Sequence, residues 1–125
     1  VIAEDSPLLR KLLFDTMQEA GYMNVDFFEN GHDAYEYLEA LVKADKNIEN
    51  HVQLVITDVE MPQMDGHHLT KKIKTHPDLR KLPVIIFSSL ITDDLRHKGE
   101  EVGAEDQISK PEIAELILRM DQLIL

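Results

Sequence analysis

Several apolar segments of this chain end on residues that can do metal or phosphate chemistry. These residues are Glu4 and Asp5 after segment 1–3, Asp58 after segment 54–57, Ser88 after segment 84–87, and Lys110 after segment 107–109. If the segments are parallel strands, their carboxyl ends lie along one edge of a sheet, where such sheets place their functional crevice. Three carboxylates at one edge repel one another unless a cation neutralises them, so the pattern predicts a divalent metal site.

Magnesium fits this set of residues best, because it takes oxygen ligands and is usually held by one or two carboxylates together with phosphate oxygens. Three carboxylates carry −3, Lys110 carries +1, and Mg²⁺ brings the pocket to zero. Positioning and charge neutralisation supply most of the catalysis in phosphoryl transfer. We therefore expect Asp58 to be a nucleophile that forms an acyl phosphate, with Lys110 and the Ser88 hydroxyl binding the phosphoryl oxygens.

The elements that must position these residues follow from the apolar pattern. The predicted strands are 1–3, 24–28, 54–57, 84–87 and 107–109. Helical spacing predicts a helix after each strand, at about 7–20, 31–42, 66–75, 92–101 and 113–123, with the leucine stripes in the core. The polar stretch 43–51 is predicted to be a frayed helix end and a surface loop. Continuous apolar strands alternating with helices indicate a parallel sheet covered on both faces.

Composition excludes several classes of function. With 24 acidic and 13 basic residues the net charge is −11, which argues against binding of nucleic acid by this domain. The absence of cysteine excludes disulfides and is compatible with the cytoplasm. No apolar run reaches the length of a membrane span, and no signal peptide is evident. The six histidines are expected at the surface, because no two of them have the i, i+4 spacing of a helical zinc site.

Taken together, the residues at the strand ends resemble the receiver domain of two-component response regulators. The matching residues are Glu4-Asp5, Asp58, the turn Met61-Pro62-Gln63-Met64-Asp65-Gly66, Ser88 and Lys110-Pro111. The resemblance implies a flavodoxin-like (βα)5 three-layer sandwich with a five-stranded parallel sheet in the order 2-1-3-4-5. It implies that Asp58 takes a phosphoryl group from a histidine kinase, and that Glu4, Asp5, Asp58 and the backbone carbonyl of Glu60 surround Mg²⁺. It also implies a cis peptide between Lys110 and Pro111.

A narrower resemblance concerns the segments 88–92 and 107–112, which are similar to the C-terminal receiver of CheV-type chemotaxis coupling proteins. In those proteins a CheW-like adaptor domain precedes the receiver. We therefore expect residues 1–125 to be one receiver domain, cut from a longer protein within its first strand, since Val1 is already apolar. The implied partners are a CheA-like histidine kinase as phosphodonor and signalling or adaptor proteins on the face of helix 4, strand 5 and helix 5. The implied location is cytoplasmic.

Three residues depart from the usual receiver pattern. Glu4 stands where most receivers have Asp, and its longer side chain can reach the metal through water. Gln107 stands where many have a switching Tyr or Phe, so we expect the Ser88 loop to carry most of the conformational change and Gln107 to contribute weakly. Glu60 lies two residues after the acceptor, near the route of a hydrolytic water.

Two other functions remain open from the sequence. A haloacid-dehalogenase-like phosphatase also uses an aspartyl phosphate with Mg²⁺. It requires a second aspartate two residues after the nucleophile, on the first strand, whereas in this chain that position is Glu60 and follows the third strand. A degenerate receiver would bind partners without being phosphorylated, and the complete set of acids, Ser88 and Lys110 argues against it. In the favoured interpretation the domain is not an enzyme, although it promotes its own Mg-dependent phosphorylation and dephosphorylation.

Overall fold

A computed structural model of the chain describes residues 1–45, 47–89, 91–110 and 112–124. The strands are β1 Ile2–Ala3, β2 Phe27–Phe28, β3 Val55–Thr57, β4 Val84–Ser88 and β5 Asp106–Ser109. The helices are α1 Pro7–Glu19, α2 Gly31–Ala44, α3 Gly66–Thr75, α4 Asp93–Glu101 and α5 Ile113–Ile124, with a short 3-10 turn at Ile48–Asn50. The predicted cis peptide before Pro111 lies outside the described residues.

The five strands form one parallel sheet in the order β2-β1-β3-β4-β5, which confirms the predicted fold. The register pairs Ala3 with Thr57, and Ser88 with Ser109. Strands that end in register deliver the residues that follow them to the same edge. The topology therefore brings the ends of β1, β3, β4 and β5 together, as the sequence pattern requires.

The sheet has a separate apolar core on each face, because successive strand residues point to opposite sides. On one face, Val55 and Val84 pack with residues of α2 and α3. On the other face, Ile56 and Ile85 pack with residues of α1 and α5. Helices α1, α2 and α3 begin at the side-chain caps Ser6, Asn30 and Asp65, each of which accepts from a backbone N–H in the first turn.

The apolar stripe of α1 is only partly buried, so the prediction that all of its leucines lie in the core is wrong. Leu13 and Met17 are buried, whereas Leu8 is 81% exposed and Leu12 is 48% exposed. The reason is rotation about the helix axis, since each residue is turned by about 100° from the one before it. Leu8 and Leu12 therefore form a second row, beside the row that faces the sheet.

One other expectation about burial is wrong, and a second needs a correction at a single residue. His67, in the first turn of α3, is buried at 2% exposure, although all six histidines were expected at the surface. Within the segment 43–51, α2 continues to Ala44 and the 3-10 turn buries Ile48 against the α2 side of the core. In both cases a neighbouring element covers a residue whose local sequence is polar, which sequence periodicity does not register.

The turn from β3 to α3 closes tightly over the end of the strand. Gln63 takes a positive φ of 66°, and the Met64 N–H donates to the Pro62 carbonyl at 2.8 Å. The Gly66 N–H then donates to the Val59 carbonyl at 2.9 Å. A Cβ atom on Gly66 would lie 1.9 Å from the Asp58 carbonyl oxygen, so only glycine can begin α3 here.

Replacing Gly66 with alanine should therefore reduce the free energy of unfolding by about 3 kcal/mol, because the clashing carbonyl group of Asp58 belongs to ordered backbone. Gly21 is the control, since its φ is positive at 95°, unlike that of Gly66, and among the described residues no atom beyond its chain neighbours lies within 4 Å of its Cβ position. Gly21→Ala should cost only the left-handed strain of about 1 to 2 kcal/mol. Urea unfolding of both variants measures the difference, and equal losses would contradict the packing explanation.

Candidate functional site

Backbone hydrogen bonds at the edge of the sheet set the position of the acidic residues. The Asp58 N–H donates to the Ala3 carbonyl at 3.0 Å, and the Glu4 N–H donates to the Phe28 carbonyl at 2.9 Å. Both residues thus continue the strand pairing beyond β1 and β3. Asp58 is 8% exposed and Glu4 is 2% exposed, so two carboxylates lie buried side by side.

The Lys110 ammonium connects these two carboxylates. Its Nζ atom donates to Glu4 Oε1 at 2.7 Å and to Asp58 Oδ2 at 3.0 Å. The second Asp58 oxygen, Oδ1, accepts from the Val59 N–H at 2.7 Å. The second Glu4 oxygen, Oε2, accepts from the Ser6 N–H at 3.1 Å. Residues from the ends of β1, β3 and β5 are therefore held in one hydrogen-bonded group.

Burial and pairing act against each other in this group. Burial raises the pKa of the Glu4 carboxyl above its ordinary value, and the hydrogen bond from Lys110 only partly offsets it. For Lys110, burial alone would lower the pKa, but the hydrogen bonds to Glu4 and Asp58 outweigh burial and raise it. Lys110 is therefore fully charged at neutral pH, and it compensates one of the negative charges at this edge.

The carboxylates fit a magnesium ion. Glu4, Asp5 and Asp58 each offer an oxygen atom, and these atoms lie within 4.8 Å of one another. Asp5 is exposed and faces an open cleft of about 510 Å³, which is also lined by Glu60, Pro62 and Asp65. Opposite ligands of an octahedral magnesium ion are about 4.2 Å apart, so the spacing suits this metal. Both oxygens of Glu4 and both oxygens of Asp58 already accept from protein donors, whereas Asp5 is exposed and faces the cleft, so Asp5 is the carboxylate best placed for direct coordination.

Comparison with known proteins identifies the family. The family model for the response regulator receiver domain matches residues 1–121. This chain belongs to the response regulator receiver family. It is 32% identical to the chemotaxis protein CheV3 of Helicobacter pylori over 102 residues, which are 81% of this chain and 32% of that protein. The chain spans about a third or less of the length of the first curated relatives that it matches.

Solved structures of other receivers share the fold. The signal receiver domain of a histidine kinase from Syntrophus aciditrophicus superposes with a TM-score of 0.77 at 33% identity, covering 95% of this chain and 86% of that one. The receiver domain of the sensor histidine kinase PA1611 from Pseudomonas aeruginosa, determined with magnesium in its active-site cleft, has a TM-score of 0.75 at 20% identity. That comparison covers 94% of this chain and 92% of the other, and at this identity it shows the fold alone.

Three predicted site residues of the receiver remain, and they are Ser88, Glu60 and Gln107. Ser88 is buried at the end of β4, and its carbonyl accepts from the Lys110 N–H at 3.0 Å. Glu60 is exposed and lines the cleft. Gln107 is 8% exposed, and its Nε2 atom donates to the Arg96 carbonyl in α4 at 2.8 Å.

Sequence reasoning missed one residue beside the receiver site. Arg10 Nη1 donates to the Glu4 carbonyl at 2.8 Å, and Nη2 lies 3.8 Å from a Glu29 oxygen. The guanidinium thereby fixes the backbone at the end of β1, next to the acidic group. Arg10 follows the Ser6 cap by four residues, and nothing in its helical spacing distinguishes it from an ordinary exposed arginine.

Asp5→Asn should stabilise the receiver in metal-free buffer by up to about 1 kcal/mol, because it removes one of three mutually repelling charges at a partly solvated site. Millimolar magnesium should raise the unfolding midpoint of the wild type and have much less effect on this variant, since ligand binding stabilises only the folded state. Asp78→Asn removes the same charge at an exposed position on the α3–β4 connection and serves as the control. An equal response to magnesium in Asp5→Asn and the wild type would exclude Asp5 as a ligand.

Proposed function

We propose that this receiver accepts a phosphoryl group on Asp58 from the phosphohistidine of a histidine kinase, in a Mg²⁺-dependent reaction, and that the modification changes its interactions with other proteins. The observation that carries the proposal is the Lys110 ammonium, which binds the Asp58 and Glu4 carboxylates at 3.0 and 2.7 Å beside an open acidic cleft. A lysine held in this way is placed to bind a phosphoryl oxygen once one is attached to Asp58.

Each side chain of the site has a distinct role in this proposal. An Asp58 oxygen attacks phosphorus; a P–O bond forms as the P–N bond of the donor breaks, and the departing imidazole retains the bonding electrons and takes up a proton. Asp58 Oδ1 is oriented by the Val59 N–H, and Oδ2 is oriented by Lys110. Ser88 supplies a hydroxyl for the new phosphoryl oxygens, and Glu4 keeps Lys110 in place.

Asp5, Asp58 and the Glu60 carbonyl would hold the magnesium ion, with Glu4 contributing through water. The metal would neutralise charge that develops on the phosphoryl oxygens. Three carboxylate oxygens within 4.8 Å of one another support this assignment. Magnesium in the cleft of the PA1611 receiver, which has the same fold, also supports it.

The nature of the partner is supported by similarity and by position. CheV3, with 32% identity, is a chemotaxis protein, which favours a CheA-like kinase as the donor and a cytoplasmic location shared with it. No helix in the described part of the chain is long and apolar enough to cross a membrane.

Receivers are phosphoacceptor modules rather than classical enzymes, and the phosphatase alternative is disfavoured because Asp58 follows β3 and not β1.

The donor would dock on the exposed row of α1. This helix begins at Ser6, whose N–H binds the buried Glu4, so its first turns stand next to the acidic cleft. Leu8 at 81% exposure and Leu12 at 48% exposure form an apolar pair, one helical turn apart, on that helix. Exposed leucines beside a reactive group suit an apolar helical surface on the phosphohistidine protein.

Asp58→Asn should leave the fold intact and abolish the gain of a phosphoryl mass when the protein is incubated with a small phosphodonor and magnesium. Asp65→Asn is the matched control, because Asp65 lies in the same loop. The Asp65 side chain accepts from the His68 N–H at 2.8 Å, and an asparagine oxygen can accept the same hydrogen bond. Intact-protein mass spectrometry follows both variants over time. Modification of Asp58→Asn at the wild-type rate would show that another residue is the acceptor.

Leu8→Ala combined with Leu12→Ala should slow phosphotransfer from a phosphorylated CheA-like kinase about thirtyfold, since each of the two lost contacts weakens docking by about 1 kcal/mol. The rate with a small phosphodonor should stay unchanged, because that reaction needs only the acidic site. Met23→Ala removes a 66% exposed side chain from the α1–β2 connection and is the control. A parallel loss with both donors would place the defect in the site and not in docking.

A further inference from the structure

Helix α4 has little apolar anchorage. Of its residues Asp93–Glu101, all of which the structure describes, only Gly99 is buried, and Leu95 is half-buried. By contrast, α5 buries Leu116 and Met120, and α2 buries a row that includes Ala34 and Leu38. Each fully buried leucine or methionine contributes about 1.5 to 3 kcal/mol, so α4 lacks the contribution that fixes the other helices.

Gln107 provides a polar attachment for α4. It is the second residue of β5, it is 8% exposed, and its Nε2 atom donates to the Arg96 carbonyl at 2.8 Å. The helix reaches this side chain through Gly99, where a Cβ atom would lie 2.3 Å from Gln107 Oε1. Glycine within a helix is unfavourable relative to alanine, and here its use is explained by the close approach of the Gln107 amide.

We propose that Gln107 forms a polar clamp that holds α4 against the domain through the Arg96 carbonyl, and that Gly99 allows the close approach that this hydrogen bond requires. Gln107 is then a positioning residue for α4, and the clamp takes the place of apolar packing. Gln107 therefore has a larger structural role than the sequence predicts, because its amide donates to a main-chain carbonyl of α4 and the sequence does not identify that partner.

The clamp also has a direct connection to the acidic site, and its role in signalling rests on the proposed function. Gln107 stands three residues before Lys110 in the chain, and it pairs with Ile86 in the register of β4 and β5. The Lys110 N–H binds the Ser88 carbonyl, so a shift of Lys110 or Ser88 toward a phosphoryl group moves the end of β5. Opening of the Gln107 contact then frees α4 to move.

Hydrogen–deuterium exchange of the α4 amides in unmodified protein tests the clamp. Gln107→Glu keeps the shape of the side chain but replaces its donor with an acceptor, and Gln107→Leu removes the polar group. Both should speed exchange in α4 about fivefold or more, the change expected from the loss of one hydrogen bond, and leave α5 unchanged. The matched control is Gln18→Glu on the exposed side of α1.

Gly99→Ala gives the sharpest result, because two explanations predict opposite signs. Helix propensity alone would slow exchange in α4, since alanine favours a helix over glycine. The clamp predicts faster exchange, because the new Cβ displaces the Gln107 amide from the Arg96 carbonyl. Slower exchange in Gly99→Ala, or unchanged α4 exchange in both Gln107 variants, would overturn the proposal.

This experiment is independent of phosphorylation. If Asp58 is not the acceptor, mass spectrometry of the wild-type protein finds no phosphoryl group on the peptide that contains Asp58, while the exchange pattern of α4 is unaffected. If the clamp is wrong, α4 exchange fails to respond while Asp58 is still modified. The two proposals therefore fail in different measurements.

Discussion

The contact of Lys110 with Glu4 and Asp58 is the constraint on which the rest of the site depends. It joins residues that follow β5, β1 and β3, and so it can form only when the three strands end in register at one edge. Two buried carboxylates without a cation would be strongly unfavourable, and removal of one partner from a buried ion pair typically costs several kcal/mol. The lysine therefore makes the acidic edge compatible with a folded sheet.

The same edge retains an excess of negative charge. Asp5 adds a third carboxylate on the solvent side, and Lys110 compensates only one unit. A divalent cation suits such a site, because it supplies the missing charge without closing the cleft to a phosphodonor. The tight turn at Gly66 and the positive φ of Gln63 keep the β3–α3 loop folded back around the cleft. The strained backbone of Gln63 therefore lies beside the candidate site.

Attachment to the sheet is uneven among the helices. Apolar rows fix α1, α2, α3 and α5, whereas α4 is polar along most of its length and meets the domain through Gly99. An element held by a few polar contacts opens at lower free energy than one held by an apolar core. The helix with the weakest apolar anchorage lies beside β5, the strand that leads directly to Lys110.

The sequence by itself determined the fold class and the positions of the candidate site residues along the chain. Continuous apolar runs such as 54–57 and 84–87, which alternate with helical patterns, favour buried parallel strands, and the runs are followed by Asp58 and Ser88, so a parallel sheet places these residues at one edge. The caps at Ser6 and Thr92 are equally local, because a side chain of the right type precedes each helix by one position.

Only the tertiary structure decided contacts between elements that are distant in sequence. The periodicity of α1 predicts burial of Leu8 and Leu12, but the rotation of the helix about its axis turns the row of Leu13 and Met17 toward the sheet and leaves Leu8 and Leu12 exposed. Arg10 and Gln107 are polar residues whose partners lie on other elements, and their hydrogen bonds to main-chain carbonyls carry no sequence signal. A backbone carbonyl is present at every residue, so which one is within reach depends on packing alone.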